Sequence, residues 1–187
     1  MGVSVYVMPL HTWLTGDFRT TWGPDAETAS APRRRQSSED AERLRDEFVS
    51  QLEPLIGRRP EWNEGGPARS ATAFSVHAFS LPFLQARRWA YRMRLPQLSV
   101  LETPQIWIPP VFEPVLRLDS WWGDGGDLLV GSLPRIRSEL DRLLEALARE
   151  EAAGDWAELR ELARVGEALR DLAGAGIEAD LPVIVDG

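Results

Sequence analysis

From Ser132 onward the apolar positions fall into two helical stripes. Leu133, Ile136, Leu140, Leu143, Leu144 and Leu147 recur at three- and four-residue steps, one face of a 3.6-residue helix. Trp156, Leu159, Leu162, Ala163, Leu169 and Leu172 trace a second such face. Ser132 stands where an N-cap belongs, and Pro134 falls in the first turn, where a missing N–H costs little. Gly154 suits the left-handed residue that ends a helix. Asp155 then caps the next helix, with Glu158 as its capping-box partner. The run Leu181-Pro182-Val183-Ile184-Val185 is too short for a helix and rich in β-branched residues, which predicts a short buried strand. The last third of the chain therefore reads as a helical hairpin followed by a strand.

The earlier pattern is more broken. Val3, Val5 and Val7 alternate with Ser4, Tyr6 and Met8, a period-two strand ended by Pro9. His11 to Trp22 is aromatic-rich without a sustained period, and Gly16-Asp17 reads as a turn. Ser37 or Ser38 should open a helix with Glu39 and Asp40 in its first turn. Leu44, Phe48, Leu52, Leu55 and Ile56 give it a buried face, and Pro54 with Gly57 breaks it. Residues 73–79 alternate weakly, as a strand would. Ser80-Leu81-Pro82 repeats the helix start seen at Ser132 and predicts a helix to about Arg94. That helix would place Leu84, Tyr91 and Leu95 on one face and end at Pro96. From Leu98 to Leu118 the chain reads as extended, with Pro104, Pro109, Pro110 and Pro114 demoting its strands to edges.

These elements predict an α+β fold: a small mixed sheet packed against three to four helices, with the C-terminal hairpin and strand. The length of 187 residues suits one globular domain with a real core. Residues 23–36 and 57–70 are rich in Pro, Gly, Ala and Arg and read as flexible loops, Trp62 anchoring the second.

Composition narrows the chemistry. The formal net charge is −8 with a pI near 4.9, unfavourable for contacts to nucleic-acid phosphates. All 21 basic residues are arginine, so a Schiff-base lysine and a P-loop lysine are both excluded. The absence of cysteine removes disulfides, thiolate nucleophiles and cysteine zinc sites, and suits a cytoplasmic protein. No apolar run approaches the ~20 residues that cross a bilayer, and Met1 to Leu10 lacks the pattern of a signal peptide.

Two stretches look like sites. In the glycine-rich loop Asp119 to Asp127, glycines let backbone N–H groups face a ligand, the aspartates suit a cation, and Trp121 and Trp122 offer stacking surface. Its spacing matches neither a calcium loop nor a dinucleotide-binding turn, and tight turns around one core tryptophan would use the same residues. Adjacent side chains on extended backbone point apart, so one ring should be exposed beside Asp124 and Asp127. The second stretch runs from Arg87 to Arg94. Between Leu81 and Leu101 there are four arginines and no acidic residue, and Arg88 and Arg92 lie one helical turn apart. Guanidinium groups beside aromatics suit carboxylate or phosphate recognition, although internal pairing with the acid-rich C-terminal helices would use the same charges.

His11 and His77 are the only histidines. Either suits acid–base work, and with a carboxylate such as Asp17 the two could complete a zinc site if they converge. No nucleophile motif accompanies them. Five of eight tryptophans (Trp22, Trp62, Trp107, Trp121, Trp122) fall in Pro- or Gly-rich segments, as core seals or interface anchors do. The expected function is a non-enzymatic bacterial protein-binding module of accessory or immunity type, without cofactor, metal, nucleic-acid or membrane partner. Its expected contact set is Trp121, Trp122, Asp124, Asp127, Arg87, Arg88 and Arg92. The alternative is an enzyme or a small-ligand or metal binder using the Asp119–Asp127 loop with His11 or His77.

Overall fold

The computed structural model describes residues 2–16, 36–64, 74–77, 81–101, 105–118, 127–153 and 157–186. In chain order its elements are β1 (Gly2–Val7), α1 (Leu10–Thr15), α2 (Ser38–Ile56), β2 (Phe74–His77), α3 (Leu81–Met93) and α4 (Pro96–Ser99). The second half adds β3 (Gln105–Ile108), β4 (Leu116–Leu118), β5 (Leu128–Ser132), α5 (Leu133–Ala153), α6 (Ala157–Ala179) and β6 (Val183–Asp186). The strands form one mixed six-stranded sheet in the order β2-β1-β6-β3-β5-β4. Among these strands only β3 and β5 run parallel; every other neighbouring pair is antiparallel. The fold is the expected α+β class, with helices on both faces of the sheet.

Period-two alternation divides the core in two. Val5, Val7, Trp107, Val183 and Val185 point to one face, where they meet apolar residues of α3, α4, α5 and α6. Tyr6, Ile106, Ile108, Val130 and Ile184 point to the other, beneath Leu10 and Leu14 of α1 and Phe48 and Leu52 of α2. Trp62 closes that second layer by packing edge-on against Phe48, ring centroids 5.9 Å apart, the anchoring role its loop position predicts.

The apolar stripes of the helical hairpin follow their sequence pattern, but Ser132, the expected N-cap, ends strand β5 and its buried hydroxyl has no hydrogen-bond partner among the described residues. Leu133, Ile136, Leu140, Leu143 and Leu147 of α5 are buried, as are Leu162, Leu169 and Leu172 of α6. A side chain at Gly166 would meet Leu144 at 3.0 Å, and one at Gly176 would meet Leu133 at 3.0 Å. These two contacts fix an antiparallel register, and the missing Cβ atoms let the helices approach. The chain therefore re-enters the sheet at the end it left, and β6 must run antiparallel to β5.

Several expectations are corrected. His11 to Thr15 lies in helix α1, closed by Gly16 with φ 71, where no period was legible. Helix α2 begins after Ser37, whose hydroxyl accepts from the Asp40 N–H at 3.1 Å, but it runs through Pro54 to Ile56. Gly57, at φ 78, is the true stop. Leu55 is 51 % exposed, and Ala41 and Val49 are buried with Phe48 and Leu52. Strand β3 is not an edge: it pairs with both β5 and β6, and its four residues are buried on both faces. Pro109 comes after the strand rather than interrupting it. Trp107, assigned by its neighbours to a loop, is wholly buried in the strand's middle. Leu128 to Ser132 forms an interior strand, β5, that leads directly into the hairpin. Helix α3 ends at Met93, close to the expected Arg94, and Pro96 opens a further short helix, α4. The segments 23–35 and 65–70, with Gly154, Asp155 and Trp156, lie outside the described residues.

Truncating Leu140, Leu162 or Leu169 to alanine should each cost about 2–5 kcal/mol of stability. Leu55→Ala should stay within about 0.5 kcal/mol. Urea denaturation measures both, and near-neutral values at two of the three buried sites would contradict this core.

Candidate functional site: the cationic face of helix α3

Among the described side chains of α3, the fully buried ones are the smallest. Ala86 and Ala90 are buried against the α5–α6 layer, flanked by half-buried Trp89 and Met93. Alanine at those positions allows close helix packing and leaves the opposite face outward. Arg88, Tyr91 and Arg92 occupy that face at three- and four-residue spacing. Tyr91 is 79 % exposed and does not share a buried face with Leu95 as the spacing suggested; the side chain of Leu84 lies outside those described. Leu95 is buried, but beyond the helix end.

That end is a Schellman turn. The Leu95 N–H donates to the Ala90 carbonyl at 2.9 Å and the Arg94 N–H to the Tyr91 carbonyl at 3.2 Å. The left-handed position, φ 56, is filled by Arg94 rather than glycine. Helix α6 ends the same way: Asp180 sits at φ 53 and the Leu181 N–H reaches the Gly176 carbonyl at 2.8 Å. A left-handed conformation costs an L-residue roughly 1–2 kcal/mol. Aspartate is among the residues that tolerate it; arginine has no such local compensation.

Beyond Arg94 the chain is pinned by a buried carboxylate. Leu95, the residue before α4, has no capping side chain. Glu139 of α5 supplies one, accepting from the Gln97 N–H at 3.2 Å and the Leu98 N–H at 2.9 Å. Glu139 is only 7 % exposed, and burial pushes its carboxyl above the ordinary value. The two N–H groups and the charges of Arg142 and Arg135 pull the other way. The Gln97 side chain extends the tie, accepting from the Ser132 N–H at 3.1 Å and donating to the Glu113 carbonyl at 2.8 Å. A Cβ at Gly131 would lie 2.9 Å from Gln97 Oε1 and 2.8 Å from Ile136 Cδ1, so the tie depends on glycine there. Glu139 and Gln97 were not anticipated. The signal was present: Glu139 sits three residues after Ile136 and four before Leu143, inside the apolar stripe.

Helix α3, unlike α2, α5 and α6, carries no acidic residue. Arg43 pairs with Asp40, Arg149 with Glu145 and Arg164 with Glu161, each on its own helix. Arg88, Arg92 and Arg94 are exposed and make no ion pair among the described residues. Arg87 is half-buried on the flank of the face.

Asp119, Trp121, Trp122 and Asp124, like Asp17, lie outside the described residues. Asp127 is exposed and engaged by Arg117 at 2.8 Å. His77 pairs with Gly2 at one end of β1, while His11 lies just past the other end. The length of β1 separates them by on the order of 15 Å, so they do not share a site. His11 Nε2 is 3.2 Å from Ser38 Oγ, and its backbone N–H donates to Glu64 Oε2 at 3.3 Å. The other oxygen of Glu64 accepts from the Trp62 indole N–H. Among the described residues, no group of three His, Asp or Glu side chains could hold a metal ion. Among them too, no helix is long and apolar enough to cross a membrane.

Comparison with known proteins returned no match to a protein-family model, a curated protein or a solved structure.

The raised pKa of Glu139 has a definite sign. Its folded state holds the proton more tightly than the unfolded chain, so its contribution to stability declines as pH rises from about 4.3 through the folded-state value. Glu139→Gln cannot titrate. The stability of the wild type minus that of the variant, from urea midpoints across this range, should therefore shrink with rising pH. Parallel profiles would show that this carboxyl titrates as it does in water.

Proposed function

We propose that this chain is a non-enzymatic, cytoplasmic bacterial module of accessory or immunity type that works by binding another protein, and that helix α3 carries the contact. The observation behind this is the exposed Arg88–Tyr91–Arg92 face, whose arginines lack ion-pair partners among the described residues. Tyrosine and arginine are the residue types most enriched at the centres of protein interfaces. Ala86 and Ala90 below, and the Glu139–Gln97 tie beyond, hold the face in place before any partner arrives, which lowers the ordering cost of binding. Trp121, Trp122 and Asp124 stay in the proposal as a second contact, on the strength of their sequence.

One contact favours a second reading. A histidine within 3.2 Å of a serine hydroxyl is the first half of an acyl-transfer site. The third group of such a site would orient the imidazole, whereas Glu64 accepts from the His11 backbone. Covalent labelling of Ser38 by a fluorophosphonate would favour this reading over the first.

For the leading proposal, the immobilised wild type should capture a stoichiometric partner from a lysate of its source. A triple variant, Arg88→Ser with Tyr91→Ala and Arg92→Ser, should retain its thermal melt and lose about 30-fold in affinity, the equivalent of about 2 kcal/mol. Equal capture by both forms would remove α3 from the interface.

A further inference from the structure

We infer that the partner docks on α3 with a carboxylate-rich segment, its acidic side chains seated on Arg88, Arg92 and Arg94 around the ring of Tyr91. This rests on α3 being the binding surface and adds the chemistry of what it binds.

Three observations carry it. The first is local charge. A helix normally neutralises exposed arginines with acids three or four residues away, as Arg149 does with Glu145 and Arg164 with Glu161. Those positions around Arg88 hold Leu84, Gln85, Tyr91 and Arg92; those around Arg92 hold Arg88, Trp89, Leu95 and Pro96. Nothing within reach on the helix carries a negative charge, and Arg88 and Arg92 repel each other across one turn. A chain whose net charge is −8 has abundant acids, yet none stands between Leu81 and Leu101. The uncompensated charge is matched by carboxylates from outside.

The second is Arg94. Its left-handed φ of 56 is the position where glycine costs least, and arginine keeps it against that preference. The helix dipole rewards cations in the last turn, which accounts in part for Arg92 and Arg94. It does not reach Arg88, a full turn upstream. Strain at an exposed cation beside two that have no ion-pair partner among the described residues indicates that its charge is used.

The third is the geometry of the ligand. Guanidinium groups present paired N–H donors that match the two oxygens of a carboxylate, and an exposed ring between them supplies apolar contact. Two such forks one turn apart suit a short acidic protein segment. A nucleic acid would carry its phosphates on past this face onto an anionic surface, where repulsion opposes it.

The probe is a short fluorescent oligoglutamate peptide, titrated with the full chain at low salt and followed by anisotropy. The wild type should bind it despite the like net charge, and binding should weaken as salt rises. Arg88→Ser combined with Arg92→Ser should lower the affinity at least about tenfold. Arg94→Gly should weaken binding while raising the melting temperature, a split that a purely structural role for Arg94 would not give. The inference is overturned if the double variant binds equally well, if a size-matched oligothymidylate binds more tightly, or if ultracentrifugation finds an Arg88-dependent dimer of the chain itself. Oligoglutamate failing to bind, while a lysate partner is captured through α3, would sink the acidic partner and leave the protein-binding reading standing. Capture that ignores α3 would sink both.

Discussion

The architecture depends on one geometric constraint: α5 and α6 form an antiparallel pair that leaves the sheet at Ser132 and returns to it at Leu181. Two glycines make that possible, Gly166 accepting Leu144 and Gly176 accepting Leu133 and Val183. A chain returned to the end it started from can only lay its next strand antiparallel to the last. Strand β6 does so, and it takes the place between β1 and β3. Its alternation then serves both cores at once, Val183 and Val185 above and Ile184 below.

The same helix pair supports the candidate site. Helix α5 contributes Glu139, a carboxylate drawn into a largely apolar environment because two N–H groups of α4 would otherwise be buried without acceptors. Helix α6 contributes the surface on which α3 rests. The cationic face is thus held from beneath and from its C-terminal end, by packing in one case and by hydrogen bonds in the other. Among the described residues, Arg88, Arg92 and Arg94 are left without intramolecular ion-pair partners to compete for them.

Much of this was legible in the sequence, and what was not has physical causes. The long stripes of α5 and α6 and the serine cap of α2 are strong local signals, and the structure keeps them. Helix α1 has six residues, too few for a 3.6-residue period to show itself. Strand β5 is buried on both faces, so Leu128 to Val130 reads as an apolar run without alternation. Strand β3 was demoted by prolines near it, although the strand lies between them. Tyr91 was placed inward because Ala86 and Ala90, the real buried face, carry little hydrophobic signal beside large neighbours. Arg88 and Arg92 stood out as a charge anomaly at once. Whether they were paired depended on residues brought up by the fold, which composition does not encode.

The position of β6 also sets the order in which the described sheet can be completed. Strands β1 and β2 pair with each other and are complete by His77; β3, β5 and β4 form a second group, complete by Ser132. Among the described residues, no strand pairing joins the two groups except through β6, which is made only after the whole of α5 and α6. Until β6 is in place, the inner edges of β1 and β3 both lack a partner strand among the described residues. Such edges are where chains pair wrongly.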